Sequence, residues 1–258
     1  MWKHIINSHY FTAIYPVFLI ASIIIGTIIA RKTWVNKSMD WSSSGVESSV
    51  IAIFSLILSF TFFAANNLMR DRLVILNDMG DASGSLRRMS LITRDDIRME
   101  SKKFLLNYLR LVSDFKEDYL KSERDVLRDM RAINTDYLGT LMHLAKYDSA
   151  AKADILVIMP FVNKMNSSFY HLVDSYDDRT PPLIIILLVV SSLLIGTLVG
   201  FLNTFHKKKH FLVPLIFVVL VSLSIQSIRD LDNPYMGSAQ PSFSDLRHQL
   251  EELQKIAY

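Results

Sequence analysis

The sequence predicts an all-α integral membrane protein, with four transmembrane helices in two hairpins and a helical bundle inserted between helices 2 and 3. Two observations carry that prediction. Four apolar stretches, at about residues 11–30, 50–65, 183–202 and 211–228, are split two and two around a long charged segment. Within that segment apolar residues recur at helical spacing and strand signals are absent. A hydrocarbon core of roughly 30 Å takes about 20 helical residues, and an unpaired backbone cannot sit in lipid. The first and third stretches therefore span outright, and the second and fourth span with their semi-polar ends.

Composition agrees with this class. Half the residues are apolar (50%), 21% are charged and the net charge is +3, so nothing marks a nucleic-acid surface. The absence of cysteine excludes disulfides, thiolate metal sites and cysteine nucleophiles.

In chain order, the first stretch ends against Arg31 and Lys32. It is too long for a cleaved leader and has no small-residue cleavage site before its basic flank. The second ends at Asn66, Asn67 and Arg70, and residues 68–77 continue it as a helix until Gly80-Asp81-Ala82-Ser83-Gly84 weakens it. In the bundle, Ile97, Phe104, Tyr108, Leu111, Phe115 and Tyr119 share one face, with Thr93 and Asp96 placed as an N-terminal cap. After Ser122 a second stripe runs through Val126, Met130, Ile133, Tyr137, Leu141 and Leu144. A third helix starts near Ser149 and carries Leu156, Val162, Met165, Phe169 and Leu172, with Pro160 expected to kink or interrupt it. Pro181-Pro182 starts the third membrane helix, and the fourth stops at Arg229. The expected domains are a first hairpin (1–67), a helical extramembrane domain (68–180), a second hairpin (181–229) and a C-terminal tail (230–258).

Loop charge sets an expected orientation. Arg31, Lys32 and Lys37 outweigh Asp40 in the first short loop, and His206-Lys207-Lys208-Lys209-His210 has no acid. Basic short loops stay in the cytoplasm, while long domains translocate regardless of charge. The bundle and both termini then face outward. His206 and His210 stand at i,i+4, but the lysines between them repel a cation, so no metal site is expected.

The membrane helices carry three patterns. On the second, Ser48, Ala52, Ser55, Ser59 and Asn66 form a stripe that suits either close packing or the wall of a water-filled path. Beside it Leu56, Phe60 and Ala64 repeat every four residues, giving ordinary packing or, around an axis of several copies, an apolar constriction. On the third, Ser192, Gly196 and Gly200 make a helix contact face. On the fourth, Ser222, Gln226 and Arg229 form a polar face, followed by Arg229-Asp230-Leu231-Asp232-Asn233-Pro234-Tyr235-Met236-Gly237. This string makes a helix-ending turn whose acids cap it or pair with Arg229, Arg70 or Arg72. A divalent-ion site is the alternative.

At these residues the chain resembles the bacterial bestrophin-like domain family, four-helix membrane proteins named for kinship with bestrophin anion channels. Asp230-Leu231-Asp232-Asn233-Pro234 to Gly237 is similar to the family's Asp-Leu-Asp-Arg-Pro signature, with Asn233 in place of the basic residue. Ser59-Phe60 followed by Arg70-Asp71-Arg72-Leu73-Val74 resembles its second helix and Arg-rich extension. The likeness, with the two hairpins around an insert, covers residues 51–253. Bestrophins line a narrow neck with large apolar residues at four-residue intervals, which implicates Leu56, Phe60 and Ala64. Ala64 is smaller than that pattern, implying a shorter or wider constriction, and the acidic calcium-binding run of animal bestrophins has no counterpart after the fourth helix.

The resemblance implies an oligomeric ion channel of the bacterial inner membrane, anion-selective, with the second helix lining the pore. Its partners are the lipid bilayer, further copies of the chain and inorganic ions, with no nucleic acid. The alternative is a membrane-anchored sensor or scaffold whose helical domain binds a ligand or partner protein. No zinc motif, Gly-rich phosphate loop or nucleophile elbow is present, so neither enzyme activity nor a cofactor is expected.

Overall fold

The computed structural model describes residues 9–33, 45–117, 123–205, 211–235 and 240–255. Among these every regular element is a helix: α1 (His9–Thr33), α2 (Val46–Ser90), α3 (Asp95–Glu117), α4 (Glu123–Tyr147), α5 (Ser149–Asp177), α6 (Pro182–Phe205), α7 (Leu212–Asp232) and α8 (Ser244–Lys255). Four of them, α1, α2, α6 and α7, are long and apolar enough to cross a membrane. The chain divides into a membrane unit, Met1–Leu68 with Arg179–Asn233, and a second unit, Met69–Asp178 with Pro234–Tyr258.

In the membrane unit Tyr15, Leu19, Phe54, Ala65, Leu188, Ile195, Val218 and Ile225 belong to one buried cluster. Its closest approach runs across the hairpins, between α1 and α6. Tyr15 meets Ser192, Ser22 meets Gly196 and Gly26 meets Thr197 and Phe201, so the two helices run parallel.

The second unit is built on aromatic and aliphatic stripes of α3, α4 and α5. Phe104 stacks on Tyr137 with ring centroids 4.4 Å apart, and the Tyr108 hydroxyl donates to the Met165 carbonyl at 2.8 Å. Burial pushes the Tyr137 phenol up to about 12 and Tyr108 well above its ordinary value. Arg72, on the extension of α2, is fully buried. Its guanidinium donates to the carbonyls of Ser175 at 3.0 Å and Asp178 at 2.8 Å.

Three sequence expectations are corrected. First, α2 does not weaken at Gly80 to Gly84 but continues to Ser90. Leu76, Met79, Ala82 and Leu86 are buried along this stretch, and burial of that face outweighs roughly 1 kcal/mol of helix propensity lost at each glycine. Second, α5 passes through Pro160 without interruption. Pro160 and Leu156, whose carbonyl it leaves without a donor, are both exposed, so water can satisfy that carbonyl while Ile155, Ile158 and Val162 stay buried. Third, Thr93 does not cap α3: its hydroxyl donates back to the Ser90 carbonyl at 2.8 Å, closing the end of α2. Asp148 caps α5 instead, accepting from the Ala150 amide at 2.8 Å and pairing with Arg94. The Ala150 amide and the Arg94 guanidinium hold the Asp148 carboxyl below its usual range.

Lys37, Asp40, Tyr119, Ser122, the 206–210 loop, Met236 and Gly237 lie outside the described residues.

Candidate functional site

The membrane unit treats its two small-residue stripes in opposite ways. On α6, Gly196 and Gly200 are pressed against α1. A Cβ at Gly196 would overlap Ser22 Oγ, and one at Gly200 would overlap the Ile23 carbonyl oxygen and lie 2.7 Å from its carbon. Gly26 of α1 answers in kind, since a Cβ there would overlap the Thr197 carbonyl. Polar side chains are consumed inside the seam. Tyr15 donates to Ser192 at 2.8 Å, Ser192 donates to the Val189 carbonyl at 2.6 Å, and Thr27 reaches the Gly200 carbonyl at 3.2 Å. Small residues here let two backbones approach within side-chain distance.

On α2 only a narrow line, including Phe54, Thr61 and Ala65, is buried. Leu56 (56% exposed) and Phe60 (65%) point away from the chain, and Ala64 and Asn66 are likewise exposed. Ser55 and Ser59 are exposed too, with their hydroxyls donating back along the helix to the carbonyls of Ile51 at 2.9 Å and Ser55 at 2.8 Å. Their hydrogen bonds are therefore satisfied without a neighbouring helix.

The stripe also extends past the membrane part of the helix. From Ser59 the polar residues Asn66, Arg70, Asn77, Asp81 and Arg88 follow at steps of seven, four, seven, four and seven, and each is exposed. An eleven-residue repeat stays nearly in line on an α-helix. The 4 and 7 spacings beyond Asn66 carry these residues, but the weakening expected at Gly80 to Gly84 hid them. Tyr15 and Gly26 carried no sequence signal, because their roles depend on the facing helix.

At the end of α7, Arg229 is half-buried, lies 4.7 Å over the Phe11 ring and donates to Thr12 Oγ1 at 3.1 Å. Ser222 and Gln226 line the same small recess. Asp232 is buried and accepts from the Thr180 backbone amide at 2.6 Å, tying the start of α6 to the end of α7. Asp230 is half-buried, and Pro234 is buried. Among the described residues no group of three or more His, Asp or Glu gathers as a metal site.

A family model described as Bestrophin-like domain matches residues 18–242. The chain belongs to the Bestrophin-like family. Solved structures of a bacterial Bestrophin homolog from Klebsiella pneumoniae resemble this bestrophin-like chain over nearly its whole length. One single-substitution variant is 13% identical, with 96% of each chain covered and a TM-score of 0.67. Another is 15% identical, covering 94% of this chain and 97% of that one, with a TM-score of 0.64. At such identity the likeness establishes the fold. No curated protein matches the chain.

Proposed function

We propose that this bestrophin-like chain is a subunit of an oligomeric, anion-selective ion channel of the bacterial inner membrane, with α2 lining the pore. The observation that carries the reading is the α2 stripe. Ser48, Ala52, Ser55, Ser59, Asn66, Arg70, Asn77, Asp81 and Arg88 are all exposed along one helix of 45 residues. Such a helix is about 67 Å long, roughly twice a bilayer's hydrocarbon core. One subunit has too few helices to enclose an aqueous path, so the stripe acquires a function only when copies surround an axis. Leu56 and Phe60 beside it form the apolar gate of the ring, and Ala64 its wider end. Anion preference rests on the family's kinship with bestrophin anion channels. The basic short loops are cytoplasmic in this reading, and the helical domain is outward.

The mass of the detergent-purified protein tests the assembly, and a monomer ends the proposal. In liposomes Phe60→Ala is expected to raise ion flux several-fold and Ala64→Phe to lower it. Unchanged flux in both folded variants would remove α2 from the pore. For orientation, Ser149→Cys should react with an impermeant thiol reagent in intact cells, and reaction at Lys208→Cys instead would invert the topology.

A further inference from the structure

Charge is unevenly placed along the open face of α2. From Ser48 to Met69 the helix carries none, so Arg70 is the first charge beyond the apolar stretch. It stands six residues past Ala64, about 9 Å along the helix. Its guanidinium stays protonated across the whole accessible pH range.

The direction of Arg70 follows from a neighbour. Arg72 is fully buried and donates to the carbonyls of Ser175 and Asp178. Two residues turn an α-helix by about 200°, so Arg70 faces away from that anchor. It is exposed and makes no hydrogen bond or ion pair among the described residues. Asp71 is exposed as well, but it lies about 100° round the helix from Arg70 and so off the stripe.

Charges farther along the stripe have a different setting. Asp81 and Arg88 border a cleft of about 350 Å³ between α2 and α8. There α8 is docked by Gln249, which donates to the Gly80 carbonyl at 3.1 Å and accepts from the Ser83 hydroxyl at 2.6 Å, and by Glu252, paired with Arg87 at 2.5 Å. This dock brings Asp245 to the same cleft, whose wall then holds two carboxylates against one guanidinium. That end of the stripe favours cations. Asp81 is eleven residues past Arg70, about 17 Å of rise, while the Debye length is about 8 Å at physiological ionic strength. Each end is therefore largely screened from the other, and Leu56 and Phe60 lie on the Arg70 side.

We propose that, with α2 as the pore-lining helix on which this reading rests, Arg70 sets whether anions or cations pass. In a ring of copies each subunit contributes one such guanidinium at the end of the apolar gate. Low-dielectric walls focus the field of these charges, which concentrates anions where the path narrows and repels cations from it. Asp81 and Asp245 act on ions only after they have left that field, so they do not decide the sign.

The test is the chloride-to-potassium permeability ratio of the full-length protein in planar bilayers, taken from the reversal potential in a KCl gradient. Wild type is expected to prefer chloride, and more strongly as the bath salt is diluted. Arg70→Gln should lower the ratio at least about fivefold, Arg70→Glu should invert it and Arg70→Lys should retain it. Asp81→Asn should move it by less than about twofold. Arg70 is exposed, so its variants should keep the wild-type melting midpoint. Current with an unchanged ratio in Arg70→Glu overturns the proposal and leaves α2 in the pore. A wild type that prefers cations, or whose ratio ignores dilution, does the same. No current from folded wild type removes the pore and the role of Arg70 together.

Discussion

Two stripes of small and hydroxylated residues, written in nearly the same alphabet, end in opposite environments. Ser192, Gly196 and Gly200 of α6 are sealed against α1, with hydroxyls and glycines matched across the seam. Ser55 and Ser59 of α2 are left on an open face, their hydroxyls folded back on their own helix. A small side chain permits close approach and does not compel it. What decides is whether the facing helix offers complementary relief, as Thr27 does for Gly200 and Gly26 for Thr197, and as none of the described residues does for Ser59.

The largest expected effect tests the seam directly. Gly200→Leu places a side chain where even a Cβ overlaps the Ile23 backbone, and backbone cannot yield as a flexible side chain can. The loss should be at least about 3 kcal/mol, the upper end of overpacking penalties, seen as aggregated protein or a sharply lowered melting midpoint in detergent. Ser59→Leu places the same side chain on α2 and should change subunit stability by no more than about 0.5 kcal/mol. Equal damage from both would show that the α2 face is packed as tightly as the seam.

A second contrast lies within α2 itself. Arg70 is exposed while Arg72 is fully buried against the carbonyls of Ser175 and Asp178. Arg72→Met removes a fully buried charged donor from those two carbonyls and should cost about 2–3 kcal/mol in thermal or denaturant unfolding. Arg70→Met should leave unfolding nearly unchanged and alter only ion flux, if α2 lines a pore. A stability loss at Arg70 matching that at Arg72 would mean that the exposed stripe is structural.

Much of this contrast was legible in the sequence, and its limits were physical. The four membrane helices follow from apolar length, and the α3, α4 and α5 stripes from periodicity, because both are properties of one segment; Leu156 is the exception, exposed where Ile155 and Ile158 take the buried face of α5. The extent of α2 was not legible: local propensity weakens it at Gly80 to Gly84, and the burial of Leu76, Met79, Ala82 and Leu86 that overrides propensity is a tertiary term. Pro160 misled for a similar reason, since its cost depends on whether the freed carbonyl faces water. The α6 stripe was visible as a contact face, but not its partner, and Tyr15 and Gly26 acquire their roles only from the register of α1 on α6. The cleft beside α8 depends on two segments far apart in the chain, so no single window of sequence contained it.

The smallest expected effect asks how far the sealed side of the comparison reaches toward the helix ends. Asp232 is buried and accepts the Thr180 amide at 2.6 Å, just before α6 begins. A carboxylate that satisfies one orphan amide near a helix start contributes about 1 kcal/mol. Asp232→Ala should therefore lower unfolding stability by about that amount, whereas Asp232→Asn, which keeps an acceptor oxygen, should lower it by less. Neither substitution should change how the protein's stability responds to millimolar calcium, because the carboxylate is bonded to a backbone amide of the same unit. If wild-type stability instead rises steeply with calcium and the variants lose that rise, Asp232 is a metal ligand, and the end of α7 is an open site like α2, not part of the seam.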